Sequence, residues 1–397
     1  VKVVLSAPGR FHAFDLAREL HQRGALARLI TNRPLRELGR YHVPLELARS
    51  RELPRIVNGV WQRLPGWLRR SWNPQYYWHI SHDRFASRCL PESADVFVGW
   101  AGASLDTLRE ARRRGMRVIC ERGSAHILEQ IRILEEEYAS VGLRFCESDP
   151  RTVERELREY EEADCIAVPS RFVKNSFLAR GCPESKLIHV PYGFEPHWFV
   201  PQPRGRGPFR VVHCGALSLR KGVQYLLRAF SELKLPDAEL WLIGRPQPEI
   251  RPFLARYASD RIVLRGYFPR HELAQQYSQA SVFCLASVEE GLAMVILEAM
   301  ACGLPAIVSE NTGGGDVVES GREGWIVPVR DVEALKDRLL WCYEHRDEAA
   351  QMGVRAREKV VQSFTWGHYG TAIFAEYQRM CGLRTAAKVA GPSPVRK

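Results

Sequence analysis

The chain has 397 residues, 45% of them hydrophobic, and a formal net charge of +11. That length supports two ordinary domains, each with its own core, and no window is long and apolar enough to read as a membrane span. The ten cysteines are scattered, with no Cys-x-x-Cys and no Cys/His cluster, which reads as buried thiols in a reducing cytosol rather than a disulfide or zinc framework.

The positive charge is uneven. Between Arg10 and Arg70 arginines are many and acids few, a surface that attracts nucleotides or anionic lipid head groups. No nucleic-acid-binding module accompanies it, so nucleic acid is not an expected partner.

In chain order, the apolar run at Val3, Val4 and Leu5 is too short for a signal peptide and reads as a first strand. A turn at Ala7, Pro8 and Gly9 leads to an amphipathic helix over residues 14–23, stopped by Gly24. Further strands are expected at 27–30, 95–98, 118–120, 165–168 and 187–190, with helices at 104–115 and 152–162. Strand–helix alternation implies a parallel sheet covered on both faces. The Pro/Gly-rich passage 200–208 breaks the alternation and reads as a linker. It restarts with strands at 209–214, 240–243, 262–264, 281–285, 306–308 and 324–328. Helices are expected at 222–233, 271–278 and 332–345, and an amphipathic one at 366–380. The small, polar, basic tail 384–397 reads as flexible. Fold class is therefore α/β: two Rossmann-like, doubly wound domains facing across a cleft.

The most informative stretch is 289–305. After the strand at 281–285 come Glu290 and Gly291, then a helix-forming segment that carries Glu298 and stops at Gly303, Leu304 and Pro305. If that helix starts near Leu292, the N–H groups of Gly291, Leu292, Ala293 and Met294 are free to face an anion. A wholly helical path from Glu290 to Glu298 would be ~12 Å long at ~1.5 Å per residue. That span suits two sugars separated by a diphosphate, and each carboxylate can accept two hydroxyl hydrogen bonds from a vicinal diol. A surface helix with an acidic cap and a solvated second Glu would leave the same local signature.

In these residues the chain resembles the retaining GT-B glycosyltransferases of family 4 (glycosyl transferases group 1), which include sucrose synthases and bacterial mannosyltransferases. The likeness lies in Glu290 to Pro305, in Val168-Pro169-Ser170, in residues 190–195 with Phe199, and in the loop Gly215 to Gly222. The resemblance implies an N-terminal acceptor domain (1–195), a C-terminal donor domain (196–365), and a last helix (366–380) packing back on the first domain. It implies transfer of a sugar from a nucleoside-diphosphate sugar to a hydroxyl acceptor, a glycan or a lipid-linked saccharide, with retention at the anomeric carbon. A front-face displacement would serve, the protein supplying position and charge while the cleft closes. In such a site Glu290 would face the donor sugar, Glu298 would hold the ribose hydroxyls, the Gly215 loop would face the phosphates, and His126 would touch the sugar. Gly244-Arg245 and Gly266-Tyr267-Phe268 would edge the base pocket, or be ordinary strand-end turns. His126 is alternatively a structural histidine.

Charge grows on the leaving phosphate, so something positive must meet it. The chain has no Asp-x-Asp, so no metal and no further cofactor is expected. Lys221, with Arg220, is the candidate source of charge, unless the two are a solvated helix-start pair. The family commonly has Arg where this chain has Ala216, and Arg220 is the candidate substitute. A second helix N-terminus after Gly313, Gly314 and Gly315 would add N–H donors. Gly9 lets backbone approach a ligand closely, and His12 is placed to face the cleft. The arginine- and aromatic-rich stretch from Val60 to Trp78 is either a membrane-interface surface or a packed insert. The expected location is cytoplasmic, peripheral at the inner membrane face in the first case. The rival functions are an epimerase or hydrolase on the same fold, and a non-catalytic scaffold.

Overall fold

The computed structural model describes residues 1–61, 74–145, 149–203, 205 and 207–382. Two parallel sheets organise them. The first contains β1 (Val3–Ala7), β2 (Leu26–Thr31), β3 (Ala48–Ser50), β4 (Val96–Trp100), β5 (Arg117–Glu121), β6 (Cys165–Val168) and β7 (Leu187–His189), in spatial order 3-2-1-4-5-6-7. The second contains β8 (Phe209–Cys214), β9 (Ala238–Ile243), β10 (Ile262–Gly266), β11 (Val282–Leu285), β12 (Ala306–Ser309) and β13 (Gly324–Val327), in order 10-9-8-11-12-13. β1, β4, β6, β11 and β12 are buried along their whole length, as expected for strands covered by helices on both faces.

In each sheet the order reverses once, between β1 and β4 and between β8 and β11. Ligands of open α/β sheets bind outside the carboxyl ends of the strands at such a reversal. The β8–β11 crevice is where the sequence places Lys221 and Glu290.

The lobes share apolar contact. One core runs from Leu5 and Phe14 through Phe194 and Phe199 to Phe283 and Met300. The last helix, Trp366–Met380, buries Trp366, Tyr369, Ile373 and Tyr377. It is tied to the Ala13–Gln22 helix, where Arg23 donates to the Gly367 carbonyl at 3.1 Å and to Thr371 Oγ1 at 2.9 Å. Chain entry to that helix runs beside residue 194: Phe194 N–H donates to Phe364 O, and Trp366 N–H to Phe194 O.

The structure adds elements beyond the expectation, such as the Ile127–Ser140 and Arg171–Leu178 helices. β3 is a three-residue edge strand, too short for periodicity to register. The run Tyr76-Tyr77-Trp78 lies in a helix, Gln75–Arg88, with the Arg151 guanidinium 4.2 Å from the Tyr76 ring. The 18-residue helix Arg346–Ser363 follows the expected 332–345 helix directly. Residues 62–72 of the aromatic stretch and the tail 384–397 lie outside the described residues.

Candidate functional site

The helix after β11 is Met294–Ala301, so it begins two residues later than expected, with Ala293 in its capping position and no side-chain cap. The intervening loop is held by β12's continuation: Glu290 N–H donates to Asn311 O at 2.9 Å and Ala293 N–H to Thr312 O at 3.2 Å. The Ala293 amide is therefore committed within the protein and is not one of the free anion donors expected from the sequence. Gly291, Leu292 and Met294 N–H groups have no acceptor among the described residues. Gly291 is where the two lobes touch. A Cβ there would lie 1.8 Å from the Gly123 carbonyl oxygen, and Ser170 Oγ donates to the Gly291 carbonyl at 2.6 Å.

Lys221 forms an ion pair with Glu290. Their side chains keep 16% and 18% exposure, so the pair lines a recess rather than an open face. Gly222 makes this possible, since its φ is 64° and a Cβ would sit 1.8 Å from the Ala286 carbonyl, so the β8 loop lies directly on the end of β11. Burial pushes the Glu290 carboxyl up, but Lys221 and then Arg220 outweigh it and hold it below its ordinary value. Gly215 and Gly244 lie back to back at the ends of β8 and β9, and a Cβ on Gly244 would meet Gly215 O at 1.7 Å. Tyr267 is 65% exposed, with the Arg245 guanidinium 5.4 Å from its ring.

Arg220 is paired with Glu289, the acid next to Glu290. Its Nε donates to Glu289 Oε2 at 2.9 Å, and its Nη2 reaches Ser124 Oγ at 3.4 Å. Lys221 is thus the nearer cation to Glu290, with Arg220 at 3.8 Å. Glu289, which sequence reading passed over, is fully buried and accepts from both lobes: from Ala125 N–H and Gln130 Nε2 at 3.0 Å each, as well as from Arg220. A second buried carboxylate, Glu137 on the Ile127–Ser140 helix, accepts from Gln224, Tyr225 and Arg330 of the other lobe. These two carboxylates tie the lobes together.

Glu298 is 3% exposed. Arg270 Nε donates to its Oε1 at 2.6 Å. The guanidinium lies 5.6 Å from the Trp198 ring and 5.9 Å from the Phe199 ring. Asp15, buried on the Ala13–Gln22 helix, also feels this charge. Burial pushes Asp15 up to about 6, and Arg270 and then Arg18 hold it back from rising further. No local pattern announces Arg270, because its partner is 28 residues along the chain.

His126 caps the Ile127–Ser140 helix, its Nδ1 accepting from Leu128 N–H at 3.3 Å, and its ring packs against Phe177 and Tyr160 at 4.9 and 5.1 Å. Burial, then Arg122 and Arg180, pull it down to about 4, so it is neutral at pH 7 and supplies no cation. His12 is likewise enclosed, 3.1 Å from Glu121 and packed on Tyr192 at 4.1 Å. Gly9 lies under the Phe11 ring, 2.8 Å from where its Cβ would be. The glycine cluster forms short 3-10 turns, Glu310–Thr312 and Gly314–Asp316, and starts no α-helix. Gly314 N–H is bonded to Thr312 Oγ1 at 3.1 Å, so it is not a free phosphate donor. Asp316 accepts instead from Arg171 N–H in the first lobe, at 2.9 Å.

The described residues therefore bring together a fixed ammonium, two carboxylates and open backbone amides at the β8–β11 reversal. Among them no three His, Cys, Asp or Glu side chains converge as a metal site. The geometry suits an anionic ligand with hydroxyl groups at both ends.

Residues 208–345 match the family model described as glycosyl transferases group 1. A GDP-mannose-dependent alpha-(1-6)-phosphatidylinositol monomannoside mannosyltransferase of Mycolicibacterium smegmatis is 30% identical over 237 residues, covering 53% of this chain and 61% of that protein. The amylovoran biosynthesis glycosyltransferase AmsK of Erwinia amylovora is 27% identical over 297 residues, 70% of this chain and 69% of that one. The matched region thus spans 61% and 69% of these relatives' own length. Among solved structures, sucrose-phosphate synthase of Thermosynechococcus elongatus superposes with a TM-score of 0.72 at 19% identity, covering 96% of this chain and 99% of that one. Anabaena HepE in complex with UDP-glucose gives 0.67 at 15%, covering 96% and 100%.

Proposed function

Because residues 208–345 belong to the group 1 glycosyl transferases and the chain takes the GT-B fold, we propose that it moves a sugar from a nucleoside-diphosphate sugar to a hydroxyl acceptor, with retention of configuration and without a metal. The observation that carries this reading is the Lys221–Glu290 pair in the β8–β11 crevice. A diphosphate entering there meets the Lys221 ammonium and the open amides of Gly291, Leu292 and Met294. Glu290 then turns to the donor sugar, accepting ring hydroxyls and stabilising positive charge at the anomeric carbon. Glu298 takes the ribose.

In the reaction the acceptor oxygen bonds to the anomeric carbon on the face the leaving group departs from. The bond from that carbon to the phosphate oxygen breaks, its electron pair goes to the phosphate, and the acceptor proton follows to the same oxygen. Lys221 offsets the charge that develops there, which is stronger in the transition state than in the bound donor. The lobe contacts at Glu289 and Glu137 exclude water from the recess, which favours transfer over hydrolysis of the donor.

The acceptor side belongs to the first lobe. No helix among the described residues is long and apolar enough to cross a membrane. Leu53, Ile56 and Val57 are exposed on the Leu53–Trp61 helix, close in sequence to Arg49 and Arg51, and this supports a lipid-linked acceptor held near an anionic surface. The test of the main reading is a thermal-shift panel of UDP-, GDP- and ADP-sugars, then turnover of the donor that binds, in EDTA, with product anomers read by NMR. Retained configuration and full rate in EDTA are expected. Inverted product, or a rate restored only by divalent cation, removes the corresponding part of the proposal. Sedimentation with anionic liposomes at low salt tests the surface, and no binding there removes it.

A further inference from the structure

We propose that Arg270 is a positioning residue for the nucleotide end of the cleft: it aims Glu298 so that one carboxylate oxygen, Oε2, receives one ribose hydroxyl. The inference rests on the reading of Glu298 as the ribose acceptor and adds to it.

Three observations carry it. Arg270 Nε donates to Oε1 at 2.6 Å, while among the described residues no donor reaches Oε2. The pair is enclosed, with side-chain exposures of 21% for Arg270 and 4% for Glu298. The guanidinium also lies by the rings of Trp198 and Phe199, 5.6 and 5.9 Å from their centres. Arg270 thus pairs with Glu298 through Oε1 and takes up an acceptor site of that oxygen, leaving Oε2 the freer of the two. A free carboxylate accepts both hydroxyls of a vicinal diol, as the sequence alone allows. One whose Oε1 is taken favours a single hydroxyl. Asp15 enters from the other lobe and faces the same guanidinium electrostatically, and Arg270 Nη2 is buried with no hydrogen-bond partner among the described residues. The guanidinium is therefore braced by Glu298, by two aromatic rings and by the charge of the opposite lobe.

The experiment compares donors. With the best-binding nucleoside-diphosphate sugar, kcat and KM are measured for the ribo, 2′-deoxy and 3′-deoxy forms, in the wild type and in Arg270→Gln, Arg270→Lys and Glu298→Gln. In the wild type, one deletion is expected to lower kcat/KM about tenfold or more, the scale of a hydrogen bond to a charged group, and the other much less. In Arg270→Gln that contrast should shrink toward one, through KM for the ribo donor and not through kcat. Arg270→Lys keeps the charge and should recover part of the contrast, which also shows that the variant folds around the donor. Contrast that survives undiminished in both Arg270 variants overturns the role of Arg270 and leaves Glu298 as the ribose contact. A wild type indifferent to both deletions, with Glu298→Gln no weaker in donor affinity, overturns the Glu298 reading itself, and the Arg270 proposal with it.

Discussion

Replacing Lys221 by Met removes the ammonium and keeps most of the side-chain length. Glu290 is left with Arg220 at 3.8 Å, and Arg220 is itself bonded to Glu289. In the wild type burial raises the Glu290 carboxyl, and Lys221 with Arg220 lowers it further than burial lifts it. A carboxyl depressed in the folded state stabilises the protein above its unfolded pKa, and that contribution is lost as pH falls through the folded value. Without Lys221 burial prevails and the folded value rises. Stability is then greatest at low pH and declines as pH climbs through the raised value, so the slope inverts. Removing one partner of a buried ion pair costs about 3–5 kcal/mol. Here the side chains are 16% and 18% exposed and a second cation remains, so the loss at pH 7 should be about 2–3 kcal/mol. For a unit of 150–250 residues that lowers Tm by roughly 5–10 °C. Differential scanning calorimetry at pH 7 and pH 4.5 reads both the size and the sign. Adding Glu290→Gln removes the stranded charge and should restore most of the stability. It should not restore turnover, because the leaving phosphate still lacks its cation, a loss of roughly 10²–10³-fold in kcat. A Lys221→Met protein as stable as wild type at both pH values would refute the pairing, and a double variant that regains turnover would refute the catalytic role.

Other outcomes follow from the same contacts. Gly291→Ala places a methyl 1.8 Å from the Gly123 carbonyl; backbone cannot swing aside, so a loss of about 3 kcal/mol with weaker donor binding is expected in urea denaturation and thermal shift, and an unchanged protein would mean that the lobes do not meet there. Asp15→Asn should gain stability relative to wild type as pH rises from 4 to 7. Burial has raised Asp15 to about 6, so the wild type loses about 3 kcal/mol on ionising it in the fold, and parallel Tm–pH curves would contradict this. His126→Asn keeps a capping acceptor and forfeits ring packing, so Tm should fall while kcat and donor KM stay within about twofold; a large fall in kcat would place His126 in the site.

Local chemistry made much of this fold legible. Runs such as Val211 to Cys214 and Ala306 to Val308 are apolar and bounded by turn residues, so they announce buried parallel strands. The Lys221 loop and the Glu290 segment stand just after two of them, and strand-end position is itself the signal of a site. What stayed hidden depends on pairings between distant parts of the chain. Glu289 looks like any loop acid until Ala125 and Gln130 come across from the other lobe. Arg270 follows Pro269 in an unremarkable turn, and only the helix Met294–Ala301 gives it a partner. Gly313 to Gly315 suggest a helix start because glycines often precede one, but here Thr312 takes the Gly314 amide and the Gly313 and Gly314 carbonyls accept from the turn that follows. The two roles of His126 are indistinguishable in sequence for a related reason: a histidine after a strand looks the same whether its ring faces a ligand or packs between Tyr160 and Phe177.

The central claim is that an activated sugar lies in the β8–β11 crevice with its diphosphate against Lys221. A crystal structure of the chain soaked with its donor in the presence of EDTA tests it most directly. The account predicts phosphate density within hydrogen-bonding distance of Lys221 Nζ, the sugar at Glu290 and the ribose at Glu298. Donor bound at any other place, or bound only when a divalent cation is supplied, would contradict it.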